Sequence, residues 1–219
     1  MEGLSLKAVI FDFDGTMVDT EVVWYKKAKQ LLEKEYQYDL SIDVFSKGVG
    51  TKDDELYQYL YQETNGRFAT KPFRNKLKKL VHREAKELDL RPGFINFFNQ
   101  TKQCGVKLGI ATSSSREWIE PYLEKFQMQH EFDCICTSDD VKNIKPDPEL
   151  YEIAVQKLGI KPEDAVAIED SVSGSNAALE AGLHCIVVPN EITKHLTFSQ
   201  QAVLYDQFED INLKALEFN

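Results

Sequence analysis

The sequence lacks the features that would place it in several large classes of protein. No run among its 219 residues approaches the ~18 consecutive apolar residues of a membrane span. Its opening, "MEGLSLKAVIF", has no basic segment ahead of the apolar stretch, so no secretory leader is expected and a cytoplasmic location is. The four cysteines, Cys104, Cys134, Cys136 and Cys185, form no C-x-x-C pair and read as reduced thiols. Cys134 and Cys136 alternate with isoleucine in "FDCICTS", the pattern of one buried strand face. No Cys-x5-Arg loop exists, which removes cysteine-based phosphate chemistry, and none of the four histidines lies in a motif. Basic excess is absent as well. A net charge of −10 argues against general nucleic-acid binding.

What is present is ordinary in amount and uneven in placement. Hydrophobic residues make up 42% and charged residues 28%, enough apolar material for a sizeable core. Between Thr20 and Leu90 there are 14 Lys and Arg against 12 Asp and Glu; the rest of the chain carries 12 against 24. The asymmetry predicts two parts with different tasks. Short apolar runs with strand character begin at Ala8 ("AVIF"), Val106 ("VKLGIA"), Phe132 ("FDCICT"), Ala165 ("AVAI") and Cys185 ("CIVV"). Helical patterns such as "REWIEPYLEKF", "PELYEIAVQKLG" and "SGSNAALEAG" lie between them. Apolar strands alternating with helices predict an α/β fold, a doubly wound parallel sheet covered on both faces. The segment from Thr20 to about Leu88 breaks the rhythm, with helices expected near 21–34, 52–63 and 72–87. It reads as an all-helical cap inserted after the first strand, spanning 20–88, with 1–19 and 89–219 forming the core.

In an open parallel sheet, ligands bind beyond the carboxyl ends of the strands. Those ends read "DFDGT", "ATSSS", "TSDDVKNIKPDP" and "IEDSVSG", which brings Asp12, Asp14, Thr112, Ser113, Lys145, Glu169 and Asp170 to one crevice. Alternation points Asp12 and Asp14 the same way along an ideal strand, and Gly15 then turns the backbone. Carboxylates so close repel unless a hard cation neutralises them, and oxygen-only ligands suit Mg²⁺. A carboxylate nucleophile with Mg²⁺ fits phosphoryl transfer. At 4 Å and an effective dielectric of 20, its repulsion from phosphate is roughly 4 kcal/mol per charge pair, which the cation and Lys145 screen. Thr112 and the amides after it suit the non-bridging phosphate oxygens.

"DFDGT", "ATSS", "KPDP" and "IEDS" in this order resemble the haloacid dehalogenase-like superfamily, in particular its phosphatases and β-phosphoglucomutase-like members with a small helical cap. The match spans essentially the whole chain. By this resemblance Asp12 becomes the aspartyl-phosphate, Asp14 serves as acid and then base, and Thr112, Ser113 and Lys145 bind phosphate. The resemblance also implies a Mg²⁺ site of the Asp12 carboxylate, the Asp14 carbonyl oxygen and Asp170, joined by Glu169. The expected substrate is a small phosphorylated metabolite, in first place a sugar phosphate, and the expected state a monomer free of nucleic acid and membrane. A sugar phosphomutase shares every core motif. The resembling mutases carry a histidine on the first cap helix about where Trp24 stands here, and an indole N–H only donates. A phospho-acceptor signalling domain lacks a 70-residue helical insertion, and a dehalogenase has no need of Asp14.

Each motif also has a plainer reading. "DFDG" alone is a strand-ending turn, and Glu169-Asp170 alone an acidic one. The helix from Lys71 to Lys86, seven Lys and Arg against Glu84, reads as a solvated face. "SKGVGTKDDE" carries Gly48 and Gly50 before a helix with Thr51 as N-cap, and the resemblance implies that it is the cap loop facing the crevice, with Gly48 and Lys52 as substrate contacts. Lys52→Ala is expected to alter KM and substrate preference more than kcat; an unchanged profile across a phosphomonoester panel would place that loop away from the substrate.

Overall fold

The first strand is short because its apolar run is short: β1, Ala8–Phe11, is buried along its whole length and ends where the carboxylates begin. Its neighbours are β2 (Lys107–Ala111) and β4 (Ala165–Glu169), both parallel to it. Outward lie β3 (Cys134–Cys136) beside β2, and β5 (His184–Val187) then β6 (Val203–Leu204) beside β4. The order is β3-β2-β1-β4-β5-β6, a six-stranded all-parallel sheet. The computed structural model describes residues 6–50 and 54–213.

Alternation along β1 splits its side chains between two cores. Val9 and Phe11 join one apolar cluster, Ala8 and Ile10 the other. Phe11 is surrounded by Phe94, Phe97, Phe98 and Phe132 at ring-centroid distances of 5.5 to 6.4 Å. The first three lie on α5 (Phe94–Gln103), one stripe at helical spacing. The helices α6 (Arg116–Lys125), α7 (Glu149–Leu158) and α8 (Val172–Glu180) follow β2, β3 and β4. The expected parallel sheet and its five strands are all present. Helix α5 and β6 carry weak sequence signals and add to the expected elements; α5 is polar and nearly uncharged in its second half, and β6 has two residues.

Between β1 and α5 the regular elements among the described residues are helices: α1 (Thr20–Tyr36), α2 (Ile42–Ser46), α3 (Asp54–Glu63) and α4 (Thr70–Ala85). The five-residue α2 is too short to show a periodic pattern. Helices α1 and α4 lie along each other, and Tyr36, Tyr57, Phe68 and Phe73 form an aromatic cluster of this segment's own. The two stretches of chain that connect it to the sheet meet: Val18 bridges Leu90, and Arg91 N–H donates to Met17 O at 2.9 Å. The Arg91 guanidinium then donates to the carbonyls of Gly15 (2.6 Å), Val188 (2.8 Å) and Pro189 (3.0 Å), tying the junction to the end of β5. Nothing in the sequence marks Arg91, because its partners are backbone atoms 76 to 98 residues away.

Truncating the ring at the centre of the sheet tests this packing. Phe11→Ala is expected to cost about 3 to 5 kcal/mol, read as a lower urea midpoint with an unchanged slope; a cost below about 1 kcal/mol would mean the aromatic cluster is not a single packed unit.

Candidate active site

Register brings the motifs together. Phe11 is level with Ile110 on β2 and Ile168 on β4, so the next residues, Asp12, Ala111 and Glu169, stand at one height. The Asp12 N–H donates to Ile168 O at 2.9 Å and the Thr112 N–H to Cys136 O at 3.0 Å, so the ladder runs on for one residue and then releases the chain. Gly15 makes the turn with φ +79°, and a Cβ there would lie 2.3 Å from Asp170 Oδ2.

Lys145 occupies the centre of the site. Its ammonium, 2% exposed, donates to Asp12 Oδ1 at 2.6 Å, Glu169 Oε1 at 2.7 Å and the Ala111 carbonyl at 2.6 Å, using all three protons. Burial pulls its pKa down, but Asp12 and Glu169 outweigh that and leave it raised. Glu169 is held in turn: Tyr151 Oη donates to Oε1 at 2.6 Å and Ser171 Oγ to Oε2 at 3.2 Å. Tyr151, fully buried beneath the lysine, is a site residue the sequence did not signal; it has the look of one more apolar position of α7.

Asp12, Glu169 and Asp170 are buried with oxygens within 4.8 Å of one another. Asp170 accepts from Thr16 Oγ1 (3.2 Å) and Asn190 Nδ2 (2.7 Å). Desolvation raises the Asp12 pKa to about 7, with Glu169 adding to the rise against Lys145, and pushes that of Asp170 well above the usual carboxylate range, with Asp12 and Glu169 adding to it. Three carboxylates against one ammonium leave two negative charges when all are ionised. A single divalent ion balances them, and an all-oxygen donor set suits a hard cation. The buried cluster therefore fits a metal ion. Within it both oxygens of Glu169 and both of Asp170 already accept hydrogen bonds, and Asp12 accepts from Lys145 at Oδ1.

Asp14 does not share these partners. The alternation expected of an ideal strand fails because β1 has ended, and the Asp14 carboxylate accepts from Thr20 Oγ1 (2.6 Å), Ser114 Oγ (2.6 Å) and Trp118 Nε1 (2.8 Å). Only its carbonyl oxygen is left for the metal role expected of it. Thr112, 1% exposed, accepts the Ser114 N–H at 3.1 Å, and Ser113 Oγ donates to Gly50 O at 3.4 Å. Gly50 O also accepts from Ser173 Oγ at 3.2 Å, and a Cβ on Gly50 (φ +75°) would lie 2.9 Å from Ser171 Oγ, so the helical segment sits close on the sheet's carboxyl end. His195 Nε2 adds contacts to Ser46 Oγ (3.1 Å) and Asp43 Oδ1 (3.3 Å) across the same boundary. Lys52 and Thr51 lie outside the described residues. A cavity of about 190 Å³ is enclosed here, with Asp12, Asp14, Lys145, Thr112 and Asp170 on one side and Trp24, Leu32, Gly48 and Phe73 among the walls on the other.

The family profile described as haloacid dehalogenase-like hydrolase matches residues 9–188. The chain belongs to that family. YhcW of Bacillus subtilis, named a putative phosphatase, is 33% identical over 96% of each chain. A protein of Thermotoga maritima named phosphorylated carbohydrates phosphatase is 32% identical over 83% of this chain and 84% of its own. Among solved structures, CbbY of Rhodobacter sphaeroides in complex with xylulose-(1,5)bisphosphate superposes with a TM-score of 0.77 at 28% identity, covering 94% of this chain and 96% of that one. The family expected from the four motifs is thus confirmed, as are the enzyme class and the α/β sheet. No helix among the described residues is long and apolar enough to cross a membrane.

The raised carboxylates fix the sign of one prediction. A folded-state pKa for Asp12 of about 7 against 3.8 means that its stabilising contribution is complete below pH 4 and is lost as pH rises toward 7. A divalent cation binds the ionised form and reverses the loss. Thermal melts are expected to show Mg²⁺ raising Tm more at pH 8 than at pH 5; an equal shift at both would mean that the cluster is not where the ion acts.

Proposed function

We propose that this protein is a Mg²⁺-dependent phosphomonoester hydrolase acting through an aspartyl-phosphate on Asp12, with a small phosphorylated metabolite, in first place a sugar phosphate, as substrate. One observation carries the reading: a buried ammonium holds Asp12 by one oxygen, 2.6 Å away, at the floor of a cavity that Asp14 also faces. Membership in the haloacid dehalogenase-like hydrolases and the name of the Thermotoga relative support it.

The residues divide the work between them. Asp12 attacks phosphorus; its new O–P bond forms as the ester P–O bond breaks, and Asp14 gives a proton to the leaving oxygen. A water then attacks the aspartyl-phosphate, Asp14 takes the water's proton, the Asp12 O–P bond breaks and inorganic phosphate leaves. Lys145 orients Asp12 and offsets the charge between carboxylate and phosphate, while Glu169 and Tyr151 keep that ammonium charged and fixed. Thr112 and the Ser113 amide offer donors to the phosphate oxygens. Asp12, Asp170 and the Asp14 carbonyl, with Glu169 beside them, would hold Mg²⁺, which supplies charge neutralisation for the phosphoryl group. Residues 20–88 act as the cap that closes the cavity against water, and Gly48 lies on its wall. Trp24 on the same wall supports hydrolysis over a mutase reaction, since its indole cannot accept and return a proton.

The test is a panel of phosphomonoesters with Mg²⁺, read as released phosphate. Asp12→Asn, which nearly conserves volume and keeps an oxygen for Lys145 to donate to, is expected to fall below about one-thousandth of the wild-type rate, and excess EDTA to silence the wild type until Mg²⁺ is restored. A fully active Asp12→Asn protein would overturn the nucleophile, and full activity in EDTA the metal.

A further inference from the structure

Of the three donors on Asp14, one is unlike the others. Ser114 lies in the loop after β2 and Thr20 opens α1 six residues beyond Asp14, and both are small hydroxyl residues. Trp118 reaches it from the first turn of α6, which begins at Arg116. Its indole N–H can only donate, so the 2.8 Å bond to Asp14 Oδ1 has one direction, whereas a hydroxyl can turn to give or take.

The indole is also wedged between two parts of the chain. On its own side it meets Tyr122 at 5.7 Å between ring centroids. From the helical segment come His82 of α4 at 4.6 Å and Trp24 of α1 at 6.2 Å. These two contacts come from the helices that lie along each other to make the body of that segment. A movement of α1 and α4 relative to the sheet takes both of these contacts away from the ring.

We propose that Trp118 is a positioning residue for the acid–base group Asp14, and that His82 and Trp24 make its hold on Asp14 conditional on the seating of the helical segment. The inference rests on the reading of Asp14 as the group that protonates the leaving oxygen. Aspartate in this role must present its proton along the leaving-group direction, and a fixed donor on Oδ1 sets the rotation of the carboxylate. With the segment lifted, Trp118 loses two of its three aromatic neighbours and Asp14 is no longer aimed.

A matched pair of esters separates this from a structural role. Phenyl phosphate needs a proton on its leaving oxygen; 2,4-dinitrophenyl phosphate, of similar shape, departs as a stable anion and does not. Release of the phenol is followed in the first turnover with Mg²⁺ present. Trp118→Phe keeps an aromatic ring facing His82, Trp24 and Tyr122 and removes the N–H together with part of the indole's area. It is expected to slow phenyl phosphate about tenfold, a fraction of the usual 10²- to 10⁴-fold acid contribution, with KM held within about twofold and the dinitrophenyl ester unchanged. His82→Ala is expected to show the same pattern at about threefold. Equal loss on both esters, or loss on neither, in Trp118→Phe overturns the positioning role; no loss in His82→Ala overturns the link to the helical segment. Asp14→Asn is the control: if it spares phenyl phosphate, the assignment of Asp14 fails and takes this inference with it. A folded wild type that releases phosphate from neither ester nor any member of the phosphomonoester panel would instead refute the proposed function.

Discussion

A lysine ammonium taken almost wholly out of water is the constraint on which the rest of this structure depends. Lys145 has to be matched by charge and by three acceptors, because an unpaired buried ion costs several kcal/mol. The matching groups come from three different strands: Asp12 after β1, the Ala111 carbonyl at the end of β2 and Glu169 at the end of β4. The lysine thus joins the central strands at one level. Glu169 in turn needs Tyr151 and Ser171, so the network extends into α7 and the start of α8. Removing one member would leave another buried and unsatisfied, which makes the floor of the site rigid.

That rigidity sits beside a deliberate imbalance. The cluster has more negative charge than its lysine can offset, and burial first, with the neighbouring carboxylates adding to it, raises the pKa values of Asp12 and Asp170. A structure that only needed stability would replace these carboxylates with apolar groups, since burying them costs more than it returns. Their persistence at the mouth of a parallel sheet makes sense when a cation and a phosphate complete the charge balance. Binding and folding then draw on the same groups.

The two halves of the site differ in kind. The sheet side is polar and fixed, with hydrogen bonds of 2.6 to 2.8 Å around Lys145 and Asp14. The helical side is largely apolar and meets the sheet through a few contacts: the Gly50 carbonyl, His195 with Asp43 and Ser46, and the aromatic group around Trp118. In the proposed function this is the boundary that opens to admit substrate. The junction at Val18 and Leu90, pinned by Arg91, keeps both connections at one point about which such a movement can turn.

Much of this protein was legible in its residues because the physics involved is local. Four-residue apolar runs bounded by Asp, Ser and Gly can only be buried strands that stop, and their alternation with helices leaves a parallel sheet as the arrangement that covers both faces. A sheet of that kind places its strand ends together, so Asp12, Asp14, Thr112, Lys145 and Asp170 could be assembled before any distance was known. What only the tertiary structure decided were contacts whose partners lie far apart in the chain. Tyr151, Trp118 and Arg91 read as ordinary helix and loop residues until Glu169, Asp14 and the Gly15 carbonyl are brought to them across 18, 104 and 76 positions. The divergence of Asp14 from Asp12 was hidden for the same reason. Strand alternation governs direction only while the ladder lasts, and past Phe11 the hydroxyls and the indole that reach Asp14 decide where it points.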